Sequence, residues 1–105
     1  MDREIPEAPR KLIERAPDVW AAYAQLGAAC AEAGPLTARE RRLVKLALAI
    51  GAGSEGATHS HARRARADGV EPAAARQVAL LAIGALGFPR AIAAATWIDD
   101  VIKEE

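Results

Sequence analysis

One cysteine, Cys30, is all that the 105 residues contain. A disulfide framework and a dithiol redox cycle are therefore both excluded within a single chain. The lone thiol fits a reducing compartment, and its setting among alanines suggests a small buried apolar residue. Aromatic side chains are scarce too, at 4% of a chain that is 51% hydrophobic. Much of that apolar content is alanine, which favours helix and lets helices approach closely but buries little area per residue. A core of this kind is expected to be helix against helix, extended through an interface between subunits. Excess charge is also missing, because 14 basic residues balance 14 acidic ones. That argues against nucleic acid or an anionic membrane as a partner held by bulk charge. The longest apolar run, Val78 to Phe88, is well short of the ~18 residues of a membrane span. No apolar segment follows Met1, Asp2, Arg3 and Glu4, so no signal peptide is visible and the cytoplasm is the expected location.

What is present is helical punctuation. Pro6, Pro9 and Pro17 are expected to keep the first segment irregular, with a turn or two of helix around Arg10 to Ala16. Asp18 is a candidate N-cap for a second helix carrying Trp20, Tyr23, Leu26 and Cys30 to the stop at Gly34 and Pro35. Thr37 with Glu40 has the spacing of a capping box. The helix it opens places Leu43, Val44, Leu46, Ala47 and Ile50 on a broad stripe expected to be buried. Gly51 and Gly53 break that helix, and Ser54 is positioned to cap the next, which runs to Asp68 and Gly69. Glu71 and Pro72 open a fifth helix ending at Gly87; Pro89 opens the last, with Ile92, Trp97, Ile98 and Val101. No alternating strand pattern occurs. The expected fold is all-α: one domain of five to six helices in a compact bundle, residues 1–35 an N-terminal helical segment and 36–105 the core.

Chemistry-bearing residues concentrate between Ser54 and His61. At about 100° per residue, Ser54, Ala57, Thr58 and His61 share one helix face, and Glu55 and His59 share another. His59 and His61 then point in nearly opposite directions and cannot chelate one ion. Glu55 and His59, four apart, suit a hydrogen bond across a helical turn better than a metal site, whose third ligand would have to come from another helix or subunit. Glu55 also suits the helix dipole as a first-turn acid.

The order of these features carries a resemblance. A capped helix from Leu36 to Ala47 is followed by a glycine break, a helix with His61, Arg63 and Arg64, then Gly69 and Val70, and finally Gly87 to Pro89. Over roughly Leu36 to Asp100 this resembles the carboxymuconolactone decarboxylase family, which includes the alkylhydroperoxidase D-like proteins. The resemblance implies an alkylhydroperoxidase D-like helical fold assembled as a homo-oligomer, a trimer or hexamer, in which subunits share the helix that carries His61. The family's peroxidase branch places two cysteines and a relay glutamate at positions occupied here by Ser54, Ala57 and, nearby, Arg42. Peroxide reduction needs a reactive thiolate and a resolving thiol, so dithiol peroxidase activity is not expected, and peroxiredoxin-type chemistry is a family-level label only. The decarboxylase branch also lacks the cysteines, retains His61 and has an acid at Glu55. It implies acid–base or decarboxylation chemistry on a small carboxylated molecule without metal or organic cofactor. His61, Glu55 and His59 are then the catalytic candidates, and Arg42, Ser54, Thr58 and Arg64 the substrate-binding ones, with Arg63 a further candidate anchor.

Competing readings are a non-enzymatic helical oligomer that binds a small ligand or protein, and a redox role for Cys30 with a partner's thiol. The glycines from Gly51 onward approach a phosphate-loop pattern, but Ala57 stands where its lysine belongs and a helix precedes it. Arg63, Arg64 and Arg66 lack interleaved aromatics, so a solvated face outweighs nucleic-acid binding. Trp97 reads as core or subunit contact.

Overall fold

The structure, a computed structural model, describes residues 7–103. It contains six helices, and the described residues hold no strand: α1 (Glu7–Arg15), α2 (Pro17–Ala31), α3 (Ala38–Gly51), α4 (Glu55–Ala67), α5 (Pro72–Leu86) and α6 (Phe88–Val101). The all-α expectation is met. The chain divides into two compact units, residues 1–36 and 37–105.

In the first unit α1 packs against α2, and the aromatic rings of Trp20 and Tyr23 lie 5.6 Å apart. Helix formation begins earlier than the prolines suggested, because Pro9 falls in the first turn of α1, where a missing N–H costs nothing; Pro6 lies outside the described residues. The cap of α2 also differs from expectation. Ala16 occupies the N-cap and Pro17 the first turn, so Asp18 is a first-turn acid favoured by the helix dipole. No residue of α2 is buried, and Val19, Tyr23 and Leu26 are largely exposed. Cys30 is exposed as well, which corrects its assignment as a buried apolar residue.

The second unit holds the core. Thr37 Oγ1 accepts from the Glu40 N–H at 3.1 Å while Glu40 Oε1 accepts from the Thr37 N–H at 2.8 Å, completing the capping box. Leu46 and Ile50 of α3 meet Ala62 of α4, Ala75, Ala79 and Ala82 of α5, and Ala91, Ala94 and Ile98 of α6. Alanine at most of these seams lets four helices close around a few bulky side chains, so truncating Leu46 would leave a cavity costing about 2–5 kcal/mol. The α3 stripe is narrower than its pattern implied: Leu46 and Ile50 are buried, but Val44 and Ala47 are exposed. Packed on α4, α5 and α6, α3 covers one side of its apolar arc, while Val44, Ala47 and Leu48 stay exposed.

Arginines close two helix ends. Arg90 Nη1 donates to the carbonyls of Ile50 at 3.2 Å and Gly51 at 3.1 Å. Arg66 and Arg76 donate to the carbonyls of Val101 and Ile102. Both arrangements satisfy orphan C-terminal carbonyls with a cation, as the helix dipole favours.

Candidate functional site around helix α4

Helix α4 is fixed at its start by three local features. Gly53 adopts φ +71°, and a Cβ there would come within 3.0 Å of the Arg90 guanidinium. Glycine is therefore needed both for the turn and for the Arg90 approach. Ser54 Oγ then accepts from the Ala57 N–H at 3.1 Å as the expected N-cap. Thr58 is fully buried, its hydroxyl donating to the Ser54 carbonyl at 2.8 Å. With Ala62 and Ala65 it forms the seam that packs into the core. Ser54 and Thr58 thus have their polar groups committed to the helix itself.

The two histidines lie in different surroundings. His61 is partly buried, and its Nδ1 is shut off from solvent without a hydrogen-bond partner. Burial, and then the positive charges of Arg64, Lys45 and Arg42, push its pKa down from 6.5 to about 4. At neutral pH the ring is an uncharged imidazole beside three cations. Arg42 is itself held by Asp68, with Nε at 2.9 Å and Nη2 at 2.7 Å from Oδ2, so its charge is fixed at the α3–α4 boundary.

His59 instead faces carboxylates. Its Nε2 lies 2.9 Å from Asp100 Oδ2 on α6 and 3.9 Å from Glu55 Oε2 on its own helix. The expected Glu55–His59 hydrogen bond is replaced by one to Asp100, a residue whose sequence position gave no hint of this contact. Lys45 was also missed, although its place three residues after Arg42 puts both on one face of α3.

The bare apolar arcs form two grooves. One, of about 640 Å³, runs between α3 and α5 and is lined by Leu43, Val44, Leu48, Val78, Leu81 and Leu86 among others. A second, of about 310 Å³, lies between α5 and α6 beside Leu80, Ile83, Phe88 and Ile92. His61 lines neither. Trp97 is half-buried. No described helix is long and apolar enough to cross a membrane.

Residues 17–100 match the model of the carboxymuconolactone decarboxylase family, reaching into the N-terminal unit beyond the Leu36 boundary of the resemblance. Neither the curated proteins nor the solved structures gave a significant match.

Proposed function

The chain belongs to the carboxymuconolactone decarboxylase family, and we propose that it performs cofactor-independent acid–base chemistry, in its fullest form decarboxylation, on a small carboxylated molecule bound at His61. The observation that carries this reading is the neutral imidazole with an unpartnered buried Nδ1 beside Arg42, Lys45 and Arg64. The positive field that these three cations set up at the ring favours a carboxylate ligand. A bound carboxylate offsets their field and raises the affinity of His61 for a proton. Carboxylate binding beside the ring is the step that would load it with a proton from water, against the burial that holds the free ring neutral. When the carbon–carboxylate bond breaks, its electron pair stays on carbon, carbon dioxide leaves, and the imidazolium returns its proton to that carbon. Lys45 and Arg64 serve as anchors, Arg42 adds its charge from its place against Asp68, and Ser54 and Thr58 contribute by holding the start of α4. Glu55 and His59 face away from the reacting group in this scheme.

The test is turnover of carboxymuconolactone, the compound for which the family is named, together with calorimetric binding of small dicarboxylates. His61→Ala is expected to cut turnover by about 10²–10⁴-fold or more and to remove the proton uptake that accompanies dicarboxylate binding, while leaving the assembly intact. Loss of the assembly in that variant would make His61 structural and sink the catalytic role.

We further propose that the chain works as a homo-oligomer, a trimer or hexamer, in the cytoplasm. The apolar side chains left bare on α3, α5 and α6 support the assembly. Leu48, Leu80, Leu81 and Phe88 are each at least 60% exposed, and exposed apolar side chains gathered on neighbouring helices suit a contact between subunits. Native mass spectrometry tests this: masses at three or six multiples of the 11.0 kDa chain are expected, and a bare monomer would contradict it. The same apolar grooves favour, as a second reading, a non-enzymatic oligomer that binds an apolar ligand; it predicts ligand binding unaffected by His61→Ala.

A further inference from the structure

We propose that Glu55, His59 and Asp100 form a binding site for a divalent transition metal, with zinc the ion that suits the donor set. One ligand atom from each residue lies within 4.8 Å of the other two. The group joins the start of α4 to the end of α6, and so supplies the third ligand that the Glu55 and His59 pair lacks in sequence.

Two features set this cluster apart from a simple ion pair. The first is donor count. An imidazole nitrogen carries at most one proton and satisfies one carboxylate, yet His59 Nε2 has Asp100 at 2.9 Å and Glu55 at 3.9 Å. Two anionic groups converge on one nitrogen, where a cation bound to all three relieves their mutual repulsion. The second is distance. Zinc bonds to nitrogen and oxygen of about 2.0–2.2 Å place tetrahedral ligands about 3.4 Å apart. The two separations at His59 bracket that value, each needing a shift of about half an ångström. The carboxylates can supply it, because the side chains of Asp100 and Glu55 are 48% and 60% exposed. His59, at 24%, is the anchored member.

One imidazole and two carboxylates leave a fourth position for water or an anionic group. The metal would also tie α4 to α6. Its site faces away from His61, so it stands or falls independently of the decarboxylation reading.

The experiment uses the full chain, stripped with a strong chelator and titrated with zinc chloride against a chromophoric competitor. One zinc per chain is expected. A direct ligand contributes more than the outer-sphere partners whose loss costs about 10–100-fold, so His59→Ala, Asp100→Asn and Glu55→Gln should each weaken binding at least about tenfold. His61→Ala should bind as the parent does. Zinc should raise the unfolding temperature of the parent, and raise that of Asp100→Asn by less at the same zinc concentration. Absence of stoichiometric zinc, or equal affinity in Asp100→Asn and the parent, would overturn the site. Circular dichroism checks each variant's fold; Glu55→Gln, at an exposed position, decides the question should either substitution at the other two ligands unfold the chain.

Discussion

His59 and His61 are two residues apart on one helix and occupy opposite chemical settings. His59 is ringed by Glu55 and Asp100 and has its hydrogen bond made. His61 is set among Arg42, Lys45 and Arg64 with a buried nitrogen left unpaired. Helical geometry turns neighbouring residues by about 100° each, so a two-residue step carries a side chain to the far side of the seam made by Thr58, Ala62 and Ala65. One side of the seam sets Arg42 and Lys45 of α3 near His61, and the other sets Glu55 and Asp100 against His59. Residue type alone thus says little about a histidine's role; burial and the charges gathered around the ring decide it.

The sharpest way to break this contrast is to remove one histidine at a time and follow turnover. General acid–base groups contribute about 10²–10⁴-fold to rate, so His61→Ala should cost about that much or more in kcat/KM, and His59→Ala far less. Equal losses would mean that the two faces are not functionally distinct.

Acid stability sharpens the contrast next. The unfolded chain binds a proton at His61 near pH 6.5, whereas the folded chain does so only near 4. The unfolded state therefore takes up the proton first as pH falls. Its stabilising contribution is full above about pH 6.5 and is lost progressively down to about pH 4. The gap corresponds to roughly 3 kcal/mol, of which screening at a partly exposed ring leaves about 2. Urea unfolding at pH 7 and pH 4.5 should show His61→Gln losing less stability than the parent over that interval.

A smaller effect tests how the start of α4 is held. Gly53→Ala forces a Cβ into a left-handed turn and against the Arg90 guanidinium, which should cost about 1–2 kcal/mol in thermal or chemical unfolding. Smallest of all, Ser54→Ala removes the α4 cap and should cost about 1 kcal/mol. Neither should reverse the electrostatic contrast between the histidines.

Helix order was legible in the sequence because it is written in local chemistry. Thr37 with Glu40, Ser54, Pro72 and Gly87 act within a turn of their own positions, and each stands where it was expected. Asp18 missed its role as a cap because Pro17 suits the first turn so well that the helix begins before it. Val44 and Ala47 were misjudged for a different reason: an apolar stripe shows that a face seeks cover, not that this chain supplies it. The site was half legible. His61 stood out by resemblance and the Glu55–His59 spacing by helix geometry, but Asp100 and the Arg90 clamp depend on contacts some forty residues apart. No periodicity records such pairings.

The most direct test of the central claim is an NMR pH titration of the His61 ring, with and without a saturating small dicarboxylate. The free protein should titrate near pH 4, and the ligand should raise that midpoint toward neutrality, with net proton uptake on binding. An ordinary midpoint near 6.5 in the free protein, unmoved by ligand, would contradict the proposal that carboxylate binding loads His61 with the proton it delivers.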